Sequence, residues 1–256
     1  MSIHSQALVH PDAVLGEHVS IGPFSVIGPE VAIGDNTEIG SNIVIESRTV
    51  IGKDCRIFHG ACIGGMPQIL GFEDVPSSVR IGDDTIIREY VTIHRSGKEN
   101  GVTVVGNNTF LMAYCHLAHD CQIGDHVKIV NGTGLPGHVV VEDYAFVSGL
   151  TGIHQFVRIG KHAMVGGMAA IRKDVLPFSL VEGNPARLVS LNSVGLRRSN
   201  ISSQARAAIK KAMKIIQHPE MNTTQAIEKI ESEIEMLDEI SYLINFIKNS
   251  SRGITK

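Results

Sequence analysis

The chain has 256 residues, enough for one large domain or one and a half ordinary ones. Its net charge of −3 offers no global field for nucleic acid. No secretory leader and no apolar run near the length of a membrane span is legible, so a cytoplasmic protein without a transmembrane segment is expected. Four cysteines without a CxxC pair speak against a zinc ribbon or a disulfide scaffold.

From the N-terminus, every sixth residue is a branched aliphatic. The series runs from Ile3, Val9 and Leu15 to Ile63, resumes at Ile81, Ile87 and Ile93, and continues unbroken from Val105 to Ile171. A period of six fits neither a helix nor an isolated strand. It fits a repeat in which each hexapeptide is one short strand plus a turn. Three hexapeptides then close a triangular coil of 18 residues, and coils stack as parallel strands about 4.8 Å apart. Glycine often follows the aliphatic, as at Gly16, Gly34 and Gly124, which predicts a corner of unusual dihedrals there. The fourth residue after the aliphatic is small or β-branched, suited to a tight interior. Cys55, Cys115 and Cys121 hold that place, and Cys62 does not.

The expected fold is mainly β, a parallel β-helix over 1–177. Two stretches break the repeat: 64–80 (GGMPQILGFEDVPSSVR) and 95–104 (RSGKENGVTV) read as loops, where function often resides. Residues 178–256 form a lead-out and a C-terminal α-helical domain. The lead-out is extended through 190. Ser202 or Ser203 caps a helix running to about His218, and Thr223 or Thr224 caps a second with Ile227, Ile230 and Ile234. A third spans about Asp238 to Asn249. Between Glu182 and Glu220 lie seven basic residues and no acid, a run that suits an anionic partner or a solvated helix face.

Twelve histidines remain to be placed. His119, His138 and His154 fall on one face of successive coils, within about 10 Å of axial rise, and His116 lies just before that face. Gly137 follows His119 by 18 residues and so stacks on it, leaving its backbone N–H open to a ligand. Acyl transfer needs a base for the attacking group and a donor for the tetrahedral oxyanion. His119 and the Gly137 amide supply that pair. Asp120 could orient the imidazole, although neighbours on a strand point to opposite faces. A different chemistry would take His94, His116 and His119 as zinc ligands.

Five segments sharpen the choice. Ile87–Arg95 (IREYVTIHR), His116–Cys121 (HLAHDC), Gly137-His138, Ile153–Phe156 (IHQF) and Leu191–Arg198 (LNSVGLRR) resemble the UDP-N-acetylglucosamine 3-O-acyltransferase family of hexapeptide-repeat enzymes. The resemblance covers essentially the whole chain, including the helical tail. It implies a left-handed β-helix working as a homotrimer. It implies transfer of a 3-hydroxyacyl chain from acyl carrier protein to UDP-N-acetylglucosamine, or to a 3-amino analogue, as the first step of lipid A biosynthesis. No cofactor or metal is called for. By the same match His119 is the general base and the Gly137 amide contacts the oxyanion, while His94, His116, His138 and His154 line the cleft. Gln68, Gln155, Asn192 and Arg198 contact the nucleotide sugar, and Gly167 with Met168 sets acyl length. The chain departs from the family pattern at Gln68-Ile69-Leu70-Gly71, where an aspartate and a lysine are missing, and at Val194, where an acid is common. The competing readings are a CoA-dependent hexapeptide acetyltransferase, a metalloenzyme like the γ-class carbonic anhydrases, and a purely structural β-helix.

Overall fold

The computed structural model describes residues 1–256. Three sheets of eleven, nine and eight strands form the faces of a triangular prism, each taking every third strand of the repeat. The first face begins at Ser2–Ile3, the second at Leu8–Val9 and the third at Val14–Leu15. Most strands are two residues long, because each hexapeptide supplies one outward residue and one inward aliphatic. Within the β-helix all pairing is parallel, and partners lie 18 residues apart, as in Ser20↔Glu38 and Val26↔Val44. The spacing stretches only where loops leave the coil, as in Cys62↔Thr92 and Thr92↔His116.

The aliphatics stack as inward ladders. Ile27, Ile45, Ile63, Ile93, Leu117 and Leu135 are wholly buried along the second face. Each contributes about 1.5–3 kcal/mol by leaving water. The glycines after them do a different job from the one expected. The left-handed residue of the corner is the third after the aliphatic, as at His18, Asn36, Asp120 and His138. Gly34 and Gly124 have ordinary φ and are required by close approach instead. A Cβ on Gly34 would sit 2.7 Å from the Gly52 carbonyl carbon, and one on Gly124 2.8 Å from the Asp143 nitrogen.

The two loops are shorter than the sequence suggested, since strands Cys62–Gly65, Ser78–Ile81 and Val102–Val105 extend into their ends. They are tied to each other. Buried Arg95 donates to the Val75 carbonyl (2.7 Å) and to Ser77 Oγ (2.8 Å) and pairs with Asp74. Ser77 Oγ in turn donates to the Ser96 carbonyl (2.6 Å).

The lead-out is a hairpin rather than a simple extended segment. Ser179–Glu182 continues the first face beside Met164–Val165, and Arg187–Leu191 returns antiparallel to it. Four helices follow. The first, α1 (Ser193–Arg198), was not foreseen; α2 (Ser203–Ile216) starts at the Ser202 cap. Asn222, not Thr223 or Thr224, caps α3 (Thr223–Glu233), because its side chain forms a reciprocal capping box with Gln225. Helix α4 (Asp238–Lys248) returns to the prism, where Tyr242 donates to Glu142 (2.6 Å) and Arg158 pairs with the same carboxylate (2.9 Å). The chain end folds back as well, with Ile254 bridging Asp174 in parallel. No helix is long and apolar enough to cross a membrane.

Candidate active site

The corner between the second and third faces gathers the site. His119 and Asp120 follow strand His116–Leu117, and Gly137 and His138 occupy the same corner one coil on. Asp120 takes the left-handed conformation (φ 62°). That turn carries its carboxylate back toward its neighbour, so the expectation that adjacent side chains diverge does not apply. His119 Nδ1 and Asp120 Oδ2 are 2.7 Å apart.

The carboxylate is itself held. Ser96 Oγ donates to Oδ1, the Gly97 N–H donates to Oδ2 (3.2 Å), and the Asp120 N–H donates to Thr103 Oγ1 (2.9 Å). Burial works to raise the carboxyl's pKa. The hydrogen bonds from Ser96, His119 and Gly97 outweigh it and hold the pKa below the ordinary value. An ionised Asp120 fixes the His119 tautomer with its proton on Nδ1, inferred from the hydrogen-bond network. Nε2 is then left bare as a proton acceptor.

Nε2 faces Gly137. A Cβ on that glycine would lie 2.6 Å from it, so only glycine lets the backbone come this close. The Gly137 N–H donates to no protein acceptor. His138 stands edge-on to His119 (centroids 5.1 Å, 88°) and stacks flat on Phe156 (4.5 Å, 4°), with Nε2 3.7 Å from Asp120 Oδ2. Its pKa is lowered, by burial first, with Lys98 and His119 adding to the effect and Asp120 opposing it.

His94 and His116 form a second edge-to-face pair (5.0 Å, 87°) beside the first. His116 Nδ1 meets Thr92 Oγ1 at 2.7 Å, and burial lowers its pKa. His94 is pushed down to about 4, by burial first and then by His116 and His119. Its Nδ1 is buried without a protein partner, the state of a polar group kept for a ligand or a water.

The remaining residues lie farther out. His154 and Gln155 are exposed one coil beyond Gly137, and the His154 ring turns to its neighbour's carbonyl (3.2 Å). Gln68 is exposed on the first loop. The Asn192 side chain caps α1 through Gly195 (3.0 Å) and donates to the His162 carbonyl (2.9 Å); Arg198 is exposed in that helix's last turn. Gly167 is exposed, with its nearest neighbour 3.6 Å from a Cβ built there, and Met168 is 72% exposed, so one chain alone builds no acyl tunnel floor. Of the basic run, Lys211 already meets the Glu233 carbonyl (2.8 Å) and lies 3.8 Å from its carboxylate. Sequence reasoning missed Ser96, Gly97 and Thr103, the partners of Asp120. Ser96 and Gly97 reach it because the second loop folds over the corner, and Thr103 reaches it from strand Val102–Val105.

The zinc triad of His94, His116 and His119 does not converge. The ligand atoms that do lie within 4.8 Å of one another belong to His119, Asp120 and His138. That trio is bonded as a proton network: the Nδ1 to Oδ2 contact has hydrogen-bond length, and the Gly97 N–H also addresses Oδ2. A metal ion would have to displace the proton that Nδ1 shares with the carboxylate.

Fold and corner together define a hexapeptide-repeat transferase. Residues 103–137 match the bacterial transferase hexapeptide model, and residues 174–255 match domain 2 of UDP-N-acetylglucosamine O-acyltransferase. A Burkholderia orbicola acyl-[acyl-carrier-protein]--UDP-N-acetylglucosamine O-acyltransferase is 43% identical over 99% of both chains. A Gloeothece citriformis protein of the same name is 50% identical over 69% of this chain, and the chain spans just under two thirds (64%) of its length. Among solved structures, a UDP-N-acetylglucosamine acyltransferase from Bacteroides fragilis superposes with a TM-score of 0.97 at 39% identity, covering 99% of each chain. One from Francisella novicida gives 0.94 at 40% identity, covering 99% of this chain and 93% of the other. The chain belongs to the acyl-[acyl-carrier-protein]--UDP-N-acetylglucosamine O-acyltransferase family, and its prism is the left-handed parallel β-helix of those structures.

Proposed function

We propose that this protein transfers a 3-hydroxyacyl chain from acyl carrier protein to the glucosamine 3-position of UDP-N-acetylglucosamine, the first step of lipid A biosynthesis. The observation that carries the reading is the His119–Asp120 pair set with a bare Nε2 against the unpartnered Gly137 N–H. The 3-hydroxyl attacks the thioester carbonyl carbon while Nε2 takes its proton. The carbonyl oxygen becomes an oxyanion and receives the Gly137 N–H. Asp120 stabilises the imidazolium. Collapse breaks the carbon–sulfur bond, and the imidazolium returns its proton to the departing thiolate. A 3-amino acceptor would follow the same path to an amide.

His94, His116 and His138 are kept neutral by burial, so they offer a hydrogen bond without adding positive charge. His154, Gln155, Asn192 and Arg198 reach for the nucleotide, Gln68 for the sugar, and Gly167 with Met168 for the end of the acyl chain. We place the enzyme in the cytoplasm, as a homotrimer.

The test is a mass spectrum of the product from a mixed 3-hydroxyacyl carrier pool and UDP-N-acetylglucosamine. An O-acylated sugar nucleotide is expected. His119→Ala should lower turnover by roughly 10²–10⁴. Activity within a few-fold of wild type, with an unchanged circular dichroism spectrum, would move the base elsewhere.

A further inference from the structure

The corner that carries His119 does not end at Gln155. Ile171 pairs with Ile153, and the chain then turns through Arg172 and Lys173 at the next level of that corner. Three coil rises separate this level from His119, about 14 Å at about 4.8 Å each. A cavity of about 440 Å3 opens there. Four segments remote in sequence wall it: the last coil with Arg172 and Lys173, the hairpin turn with Arg187, the start of α3 at Thr223, and the chain end with Lys256.

The wall is built, not draped. Asp174 is 1% exposed; it accepts from the Arg158 N–H (2.8 Å) and from Ser250 Oγ (2.7 Å), its N–H donates to the Gly253 carbonyl (2.9 Å), and its carbonyl accepts from the Thr255 N–H (2.8 Å). The tail is thereby fixed against the last coil. No aspartate or glutamate lines the cavity, and none of its four cations makes an ion pair with a carboxylate. Like charges focused in one concavity repel, and an anion relieves that cost. The cavity falls in the size range of ligand sites.

We propose that this cavity holds the phosphodiester of the pantetheine arm by which an acyl carrier protein presents its thioester. The assignment rests on the acyl-transfer reading above. Length supports it: an extended pantetheine arm is comparable to about four residues of extended chain, roughly 14 Å. That matches the rise from Lys173 back to His119. The sugar diphosphate is the other phosphate in the reaction; His154 and Gln155 lie one coil short of this level, and its other candidate contacts, Asn192 and Arg198, lie elsewhere. Arg187 begins the strand that Leu191 ends, so Asn192 and Arg198 follow its far end, about 13 Å away at about 3.3 Å per residue.

The experiment compares three donors of one acyl chain: the acyl carrier, acyl-phosphopantetheine and acyl-pantetheine, the last without phosphate. In Arg172→Gln/Lys173→Gln, the preference in kcat/KM for acyl-phosphopantetheine over acyl-pantetheine should fall at least about tenfold, and the KM for the acyl carrier should rise. Arg187→Gln should reduce the same preference on its own. Thermal melting of each variant within a few degrees of wild type rules out a folding defect; a variant that melts lower is replaced by Arg172→Lys, which should restore the preference. An active wild type whose donor preference survives all of these changes overturns the phosphate site and leaves the acyl-transfer reading standing. A wild type inert toward every donor removes that reading and this assignment with it.

Discussion

Asp120 shows how much of the chemistry rests on single residues. Its Oδ2 receives both His119 Nδ1 and the Gly97 N–H, while Oδ1 receives Ser96. An asparagine fits the same slot, with its carbonyl toward Gly97 and its amide toward the Ser96 oxygen. His119 then keeps its tautomer and loses only the negative charge behind it. Weakening a charge-assisted bond to a neutral one removes about 1–1.5 kcal/mol, roughly tenfold in rate. Asp120→Asn is therefore expected to lower kcat about tenfold, far less than His119→Ala; equal losses would mean that Asp120 does more than orient and stabilise. Gly137 tolerates less. A Cβ there meets the His119 ring at 2.5 Å and 2.6 Å, and the ring is already pinned by Asp120. Misplacement by about 1 Å costs about 10²-fold. Gly137→Ala should lose about that much kcat with a melting temperature near wild type, and near-normal turnover would show that the ring moves freely. The pairing of His119 with Gly137 was legible because 18-residue stacking is arithmetic. The return of Asp120 onto its neighbour was not, because the strand rule was applied to a residue that sits at a left-handed corner.

Among elements, the helical cap is where the sequence was least readable. Helix α1 is six residues long with Gly195 inside it, too short to show an apolar period, and its Asn192 cap had been assigned wholly to ligand binding. The cap is docked by contacts that only the fold creates. Asn192 reaches the His162 carbonyl and Ser199 Oγ meets His162 Nδ1 (3.3 Å). His162 also stands in a ring column, 4.7 Å from Tyr144 and 6.1 Å from Phe178. It is 5% exposed and its pKa is pushed down to about 4, by burial first, with Lys161 adding and Asp143 opposing. Between about 6.5 and about 4 the unfolded chain binds a proton at this site that the folded chain refuses, so stability falls as pH falls. The contribution is complete above the unfolded value of about 6.5 and is lost on the way down to about 4, on the order of 3 kcal/mol. His162→Phe keeps the stack and removes the titration. Its melting temperature should therefore fall less than the wild type's between pH 6.5 and pH 4; parallel curves would place the acid sensitivity in other groups.

At the scale of the whole molecule, the aliphatic phase gave the prism because each hexapeptide folds by local rules, whereas the return of the chain end onto Asp174 depends on contacts distant in sequence. The single prism also leaves a mismatch between its faces and its chemistry. His119 and His138 sit at an outer corner with side chains 18% and 23% exposed, covered by the second loop only on the Asp120 side. The neighbouring corner, between the first and second faces, carries an exposed apolar column: Tyr90 stacked on Tyr114 (5.2 Å, 10°), then Leu150 and Met168 at 65% and 72% exposure. Leu150 packs over Gly132, while Gly167 beside the column has open backbone, so a second surface can approach closely there. A contiguous apolar column of this kind marks an interface or a ligand groove. Around a threefold axis, the histidine corner of one copy and the apolar corner of the next would together enclose sugar and acyl chain. Sedimentation equilibrium should therefore return three times the 27.6 kDa chain mass. Leu150→Glu should shift the mass toward one chain and remove activity while circular dichroism stays unchanged. A fully active monomer, from either sequence, would mean that the histidine corner works alone and that the apolar column serves another purpose.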